Sequence, residues 1–482
     1  MTRAVNDPPR SRRRRALALT AAGAGVLLGA GLAAPVPALA HGLVGKTDLP
    51  IPRWLFAWAA AVVLVVSFVA LATLWPKPRL AHIHERELLR VPRLLDPICG
   101  AIGLALFAVV VYSGYAGAQQ ATSNLAPTFI YVLFWVGLAF ASLLLGDVFR
   151  AFNPWRALAR GVAWIAGKVA PGKLPEPMAY PARLGRWPAA AGILAFAWLE
   201  LVYANKDVPS TLVTLSLVYA AIQLVGMSLY GIETWTGRGD GFGVYFGLFA
   251  RLSPLHWHQG RLRLRAPVVG AAGLETMPGT VALVAVMIGS TSFDGFSVGQ
   301  AWTRAEPHVQ SLFNGLGGDT PAELSATLGL AAMIALIGAL YRLGVLGMRS
   351  VSREHSTEEL SQRFAHSLLP IALAYVIAHY FSLLAFQGQA TAYLASDPLG
   401  HGANLLGTAS DTIDYNAFAS NVIWYVQVTA LVLGHAAGLT LAHDRALIVY
   451  TRARQATRSQ YWMLAVMVGF TSLGLWILSS TQ

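Results

Sequence analysis

Apolar residues along this chain come in long blocks, and the charged residues sit between the blocks. Ten stretches, near 54–75, 98–116, 128–146, 188–204, 211–231, 277–293, 326–345, 367–386, 418–440 and 460–478, approach the length needed to cross a bilayer. That length is roughly 20 apolar residues. The pattern predicts an all-α, polytopic integral membrane protein with about 10 transmembrane helices. A further apolar run, 242–250, is too brief to cross and predicts a re-entrant or interfacial helix. Between the third and fourth blocks, AFNPWRALARGVAWIAGKV sets Trp155 and Trp164 among Arg and Lys, the composition of a helix lying on a membrane surface.

The eighth and ninth blocks are interrupted by polar residues at helical spacing. At about 100° per residue, Tyr375, His379 and Ser382 share one face of the eighth helix. Asn421, Trp424, Gln427 and His435 share one face of the ninth, with Gly434 and Gly438 beside them as a GxxxG pair. Side chains of this kind turned to lipid would lack partners, so both faces are expected to look at other helices or at a water-filled cavity. They act either as a site or as interhelical glue, the latter contributing about 0.6–2 kcal/mol each.

Composition agrees with the pattern. Of 482 residues, 55% are hydrophobic and only 12% charged, too few charges to cover a soluble globule of this size. The single cysteine, Cys99, excludes an internal disulfide framework and any Cys-based zinc or iron–sulfur site. The net charge of +12 is distributed as membrane topology requires, and no nucleic-acid partner is implied. Of the 35 Lys and Arg, 25 fall in the connections 76–97, 147–187, 232–276, 341–366 and 441–459, against four, Lys46, Arg53, Lys206 and Arg304, on the other side. This bias predicts a protein of the bacterial plasma membrane with its mature N-terminus and its C-terminus both outside.

Residues 1–40 read as a cleavable signal peptide: Arg10 and Arg12–Arg15 precede an apolar run that ends in Ala38-Leu39-Ala40. The remainder, 41–482, reads as one membrane-embedded helical domain. Cleavage after Ala40 would expose His41, whose amino group and imidazole suit copper.

Candidate chemistry gathers on the outer side. Asp294 follows the sixth block in GSTSFDGF, Asp397 and His401 stand in SDPLGHG, and Asp411 and Asp414 stand in DTIDYN. His379 lies just outward of the middle of its helix, with Gln387 and Gln389 at its outer end. Carboxylates and imidazoles are the ligands of a hydrolytic Zn or Mn ion, which lowers the pKa of bound water to about 7. The expected metal ligands are His379, His401 and a carboxylate such as Asp397 or Asp411, with Asp294 or Asp414 to orient the attacking water or accept its proton. Asp397-Pro398 and Gly400 are equally ordinary turn residues.

On the inner side His435 and His443 are eight residues apart on the ninth helix, about 12 Å, too far to share one small ion. The pairs His82/His84 and His256/His258 fall in Arg-rich connections and read as solvated or headgroup-facing. Glu200 and Asp147 complete the acidic set near the membrane, and Arg150 or Arg156 is placed to neutralise Asp147.

AHGLVGKTDLPIPRWLFAW, GDVFRAFNPWRA, HYFSLLAFQGQ, SDPLG and GHAAGLTLAHDRAL together make the chain resemble a family of multi-spanning membrane proteins labelled fenitrothion hydrolase. The resemblance implies hydrolysis of the P–O-aryl bond of a small apolar phosphotriester, in company with a second membrane subunit. It implies no particular catalytic residues. Two other expectations come from the residues themselves: a transporter or permease with a polar site between the eighth and ninth helices, and a copper-handling protein using His41.

Overall fold

The computed structural model describes residues 53–80, 83–169, 175–450 and 452–480; the leader segment, His41 and His82 lie outside these. Each of the ten predicted blocks is a helix. Among the described residues seven helices are long and apolar enough to cross a membrane: α2 (Leu95–Ala116), α3 (Leu125–Leu145), α7 (Pro209–Tyr230), α10 (Thr280–Ser297), α12 (Thr320–Val351), the stretch Thr357–Gln387 that contains α14 (Leu369–Gln387), and α16 (Ser420–Val449). The other three blocks correspond to α1 (Arg53–Leu74), α6 (Trp187–Leu201) and α17 (Ala453–Ser480). The protein is an all-α membrane protein, and seven of the ten predicted blocks meet this measure among the described residues.

Length explains part of the difference. α6 is only 15 residues, because the chain breaks into turns around Tyr203 and Lys206 before Pro209 starts α7. Proline at a first helical turn loses no intrahelical bond there.

The 242–250 run forms α9 (Gly241–Ala250), and Phe242, Val244, Tyr245, Phe246, Leu248 and Phe249 are all buried. A helix apolar all round belongs inside protein, so α9 is inserted among its neighbours and does not lie on a lipid surface. Its N-cap residue Asp240 is fully buried and accepts hydrogen bonds from Asn153 Nδ2 (3.0 Å), Trp155 Nε1 (2.8 Å) and the Tyr219 hydroxyl (2.8 Å). These donors come from the α4 (Val148–Phe152) to α5 (Pro154–Val169) corner and from α7, so one carboxylate ties three elements to the start of α9. α5 itself leaves Leu158, Val162, Ile165 and Val169 exposed at helical spacing, with Lys168 Nζ 4.0 Å above the Trp164 ring, as a membrane-surface helix requires.

The Lys- and Arg-rich connections meet at one end of the bundle, here called the basic end. There β1 (Arg86–Arg90), β2 (Leu255–His258) and β3 (Arg261–Leu264) form a small antiparallel sheet in the order β1-β3-β2. The strand points His256 and His258 the same way, and their rings stack at 5.6 Å. Glu85 accepts from His256 Nδ1 (2.6 Å) and Arg263 (3.0 Å). Its partial burial favours the neutral acid, but the two hydrogen bonds and the neighbouring charges outweigh this and hold the carboxyl below its ordinary 4.5. A depressed folded-state pKa stabilises the fold above the unfolded value, and that contribution is lost as pH falls through the folded value. Below pH 4.5 the melting temperature in detergent should therefore fall less steeply in Glu85→Gln than in the wild type. Parallel curves would exclude Glu85 as a contributor.

Arg156, almost fully buried, pairs with Asp96 (3.0 Å) and Glu233 (2.8 Å), and Arg150 with Glu233 (2.9 Å). Asp147 takes no arginine side chain; its carboxylate caps α4 by accepting from the Arg150 backbone N–H.

α14 and α16 pack against each other through the GxxxG pair. A Cβ at Gly434 would stand 2.3 Å from Ala374 Cβ and 2.7 Å from the Pro370 carbonyl oxygen, and one at Gly438 would stand 2.7 Å from the Ser367 carbonyl oxygen. Only glycine permits this approach. Gly434→Leu should cost about 1–3 kcal/mol by overpacking, whereas Gly161→Ala, at an open position, should be neutral or slightly stabilising. Equal melting temperatures for the two variants would contradict the close contact.

Candidate functional site

Helices α6, α10 and α14 bring ionisable residues together inside the bundle. Asp294 lies in the last turns of α10, where the helix continues to Ser297 beyond the end of the predicted sixth block. His379 Nε2–H donates to Asp294 Oδ2 at 2.9 Å, and the neighbouring Tyr380 hydroxyl donates to the same oxygen at 2.8 Å. The two donors are adjacent in sequence yet converge because His379 and Tyr380 flank the line along which α14 meets α10. Glu200, in the last turn of α6, is within electrostatic reach of Asp294, of Lys206 and of the Tyr131, Tyr245 and Tyr380 hydroxyls.

The wall behind this cluster is aromatic. Residues 128–137 of α3 are wound as a π-helix, a form that in short pieces often accompanies functional sites, and it carries Tyr131 and Trp135. Trp135 stacks on Tyr245 of α9 with centroids 4.6 Å apart. Neither Trp135 Nε1 nor the Tyr245 hydroxyl has a hydrogen-bond partner, though both are buried. The Tyr245 hydroxyl is within electrostatic reach of Glu200.

Exposure distinguishes this cluster from a dry ion pair. The Asp294 and His379 side chains keep 24% and 19% of their surface accessible, and Glu200 is half-buried. His379 stands eight residues, about 12 Å, below the loop end of α14. A lone carboxylate at this level would cost about 2.5–3.5 kcal/mol, and the His379 and Tyr380 donors offset that cost for Asp294.

The other predicted site residues take separate places. Asp397 Oδ1 accepts from the His401 backbone N–H (3.1 Å) and Oδ2 from that of Gly402 (2.7 Å). Slight burial is outweighed by these backbone donors, which hold its carboxyl below the usual range. The segment is a turn that docks on the start of α3: Ala118 N donates to the Leu399 carbonyl, Leu125 N to that of Pro398, and Gly400 adopts φ +67°. His401 and Asp411 are exposed on the same loop. Asp414 and Gln389 clamp each other through backbone and side chain, and Gln387 reaches the Tyr415 hydroxyl at 3.5 Å. With both Asp397 oxygens engaged by backbone, His379, Asp397 and His401 do not converge on one point. Among the described residues no group of three or more His, Cys, Asp or Glu side chains is arranged to hold a metal ion.

On α16, Gln427, His435 and His443 are buried. His435 lies against Tyr375, their ring centroids 6.3 Å apart, one turn along α14 from His379. Beside these helices, between α2, α3, α6 and α7, lies an apolar cavity of about 1000 Å³ lined by Leu106, Leu133, Phe196, Leu215 and Val218 among others. Comparison with protein-family models, with curated proteins and with solved structures finds no match to this chain.

Proposed function

We propose that the protein is a proton-coupled membrane transporter whose coupling group is the Asp294–His379–Tyr380 cluster with Glu200. The observation that carries this reading is the 2.9 Å contact between an imidazole and a carboxylate, both partly accessible, on two helices within the bundle. A buried carboxylate–imidazole pair changes its net charge with each proton it gains or loses, and inside a membrane that change alters which packing of the helices is favoured. Glu200, on a third helix, supplies a second carboxylate within electrostatic reach of Asp294. Ionisable residues in membrane helices mark proton relays and substrate paths more often than structural pairs.

The experiment is charge displacement by proteoliposomes on a solid-supported membrane after a pH step, followed by addition of small polar solute pools. A proton-coupled carrier gives a pH-driven current that a cognate solute enlarges. Absence of current at every pH and with every pool would count against the proposal.

A second reading is favoured by the apolar cavity beside the site. In it the protein hydrolyses small apolar phosphotriesters, as the resemblance to the fenitrothion hydrolase family implies, with His379 oriented by Asp294 as the base that takes a proton from attacking water. Release of nitrophenol from a nitrophenyl phosphotriester, assayed with and without chelator, discriminates this reading and its Zn or Mn ion from transport. For the copper expectation, N-terminal sequencing of the mature protein is decisive: a first residue other than His41 removes it.

A further inference from the structure

Buried polar atoms without partners gather on one helix. In α16, Gln427 Nε2, His435 Nε2 and His443 Nδ1 are shielded from solvent and meet no hydrogen-bond partner, and Asn421 Oδ1 shares this condition nearly two turns nearer the loop end. Gln427, His435 and His443 are 2%, 0% and 1% exposed. Membrane helices leave few such atoms unsatisfied, because no bulk water is at hand to take the bond. Where they recur, internal water is the ordinary partner.

The orphan atoms have complementary chemistry. His435 Nδ1–H donates to the Leu431 carbonyl at 2.8 Å, which fixes the tautomer and leaves Nε2 as a lone-pair acceptor. His443 Nε2–H donates to the Trp75 carbonyl at 3.2 Å and leaves Nδ1 as an acceptor. Gln427 offers N–H donors. At 100° per residue the three fall within about 160° of one another, in two steps of about 12 Å. Each step is the span of about three waters at hydrogen-bond spacing.

The row starts beside the candidate site and ends at the basic end. Tyr375, one turn from His379, touches the His435 ring and donates to the Phe470 carbonyl at 3.2 Å. At the far end Asp444 accepts from Trp75 Nε1 and the Arg79 N–H, Arg445 donates to the Ala272 carbonyl, and buried His366 lies within electrostatic reach of Arg445.

We infer that α16 lines a file of internal waters along which protons pass between the Asp294–His379 cluster and the basic end, with His435 as the relay at mid-membrane. A proton moves from a water O–H to His435 Nε2 and leaves that same nitrogen for the next water, so no other bond changes and no redox partner is required. The inference rests on the transporter reading and adds the route.

Radiolytic hydroxyl-radical labelling of the whole protein in nanodiscs detects bound water through the side chains beside it. His435 and His443 should label within about tenfold of exposed His308, although their static exposure is near zero. Labelling as slow as that of buried Phe364 would overturn the water file and leave these residues as interhelical glue. In the same proteoliposome current, His435→Leu should lower proton flux at least about tenfold while His435→Gln, which stays polar if Leu fails to fold, retains more of it. If Asp294→Asn abolishes the current and both His435 variants leave it intact, the route is wrong and the transporter reading stands. If Asp294→Asn leaves it intact, that reading itself fails.

Discussion

Asp294→Asn and His379→Ala each reduce pH-driven charge displacement by about 10²-fold or more while the protein remains folded and monodisperse. The magnitude follows from removal of a positioned proton acceptor or donor, which typically lowers a proton-transfer rate by about 10²–10⁴-fold. Asn keeps the shape of Asp294 and still accepts from Tyr380 Oη, so the packing of α10 on α14 survives, but the amide cannot take a proton. Tyr380→Phe removes one hydrogen bond to the carboxylate, about 1.5–3 kcal/mol, but leaves the proton acceptor in place and should reduce the current less than Asp294→Asn does. The ordering is as informative as the size. A Tyr380→Phe loss as large as that of Asp294→Asn, or full current in Asp294→Asn, would show that the carboxylate does not carry the proton.

The largest expected effect on stability lies at the opposite end of the bundle. Asp240→Ala leaves Asn153 Nδ2, Trp155 Nε1 and the Tyr219 hydroxyl without their acceptor in a site of 0% exposure. A buried donor left unpaired costs about 1–3 kcal/mol, so losing the acceptor of all three removes a large share of the roughly 5–15 kcal/mol that holds a typical fold. The variant should aggregate on extraction or melt many degrees below the wild type in a detergent thermal-shift assay, and the current should vanish with the fold. Asp240→Asn retains one acceptor oxygen and should lie between. A melting temperature for Asp240→Ala close to that of the wild type would mean that water replaces the carboxylate there.

Much of the architecture was legible from apolar spacing alone: every long block became a helix, and the GxxxG pair on α16 became a close contact with α14. Those signals are local. What could not be read was local sequence overruled by tertiary contact. Asp294 and His379 are 85 residues apart, and nothing in GSTSFDGF or AHYFSL says that the two segments meet. The loop residues Asp397 and His401 carry the ligand chemistry of a metal site, but the Asp397 carboxylate is used in turn geometry, which the Asp-Pro-Leu-Gly sequence also encodes. Glu200 carries its own signal: an acid inside the apolar run FAWLELVY points to function in a membrane helix. The π-helical winding of α3 and the role of Asp240 beneath α9 left no sequence signature beyond a Gly-Asp-Gly that reads as a turn.

The whole account depends on water reaching the pair at the α10–α14 contact. Cys99, the single native thiol and a buried one, can be replaced by alanine to give a blank background for the test. In that background Asp294→Cys should react with a small, charged, membrane-impermeant methanethiosulfonate in intact proteoliposomes, at a rate within about a hundredfold of a loop position such as Asp411→Cys. A cysteine that stays inert to the charged reagent and reacts only with a lipid-soluble maleimide would contradict it.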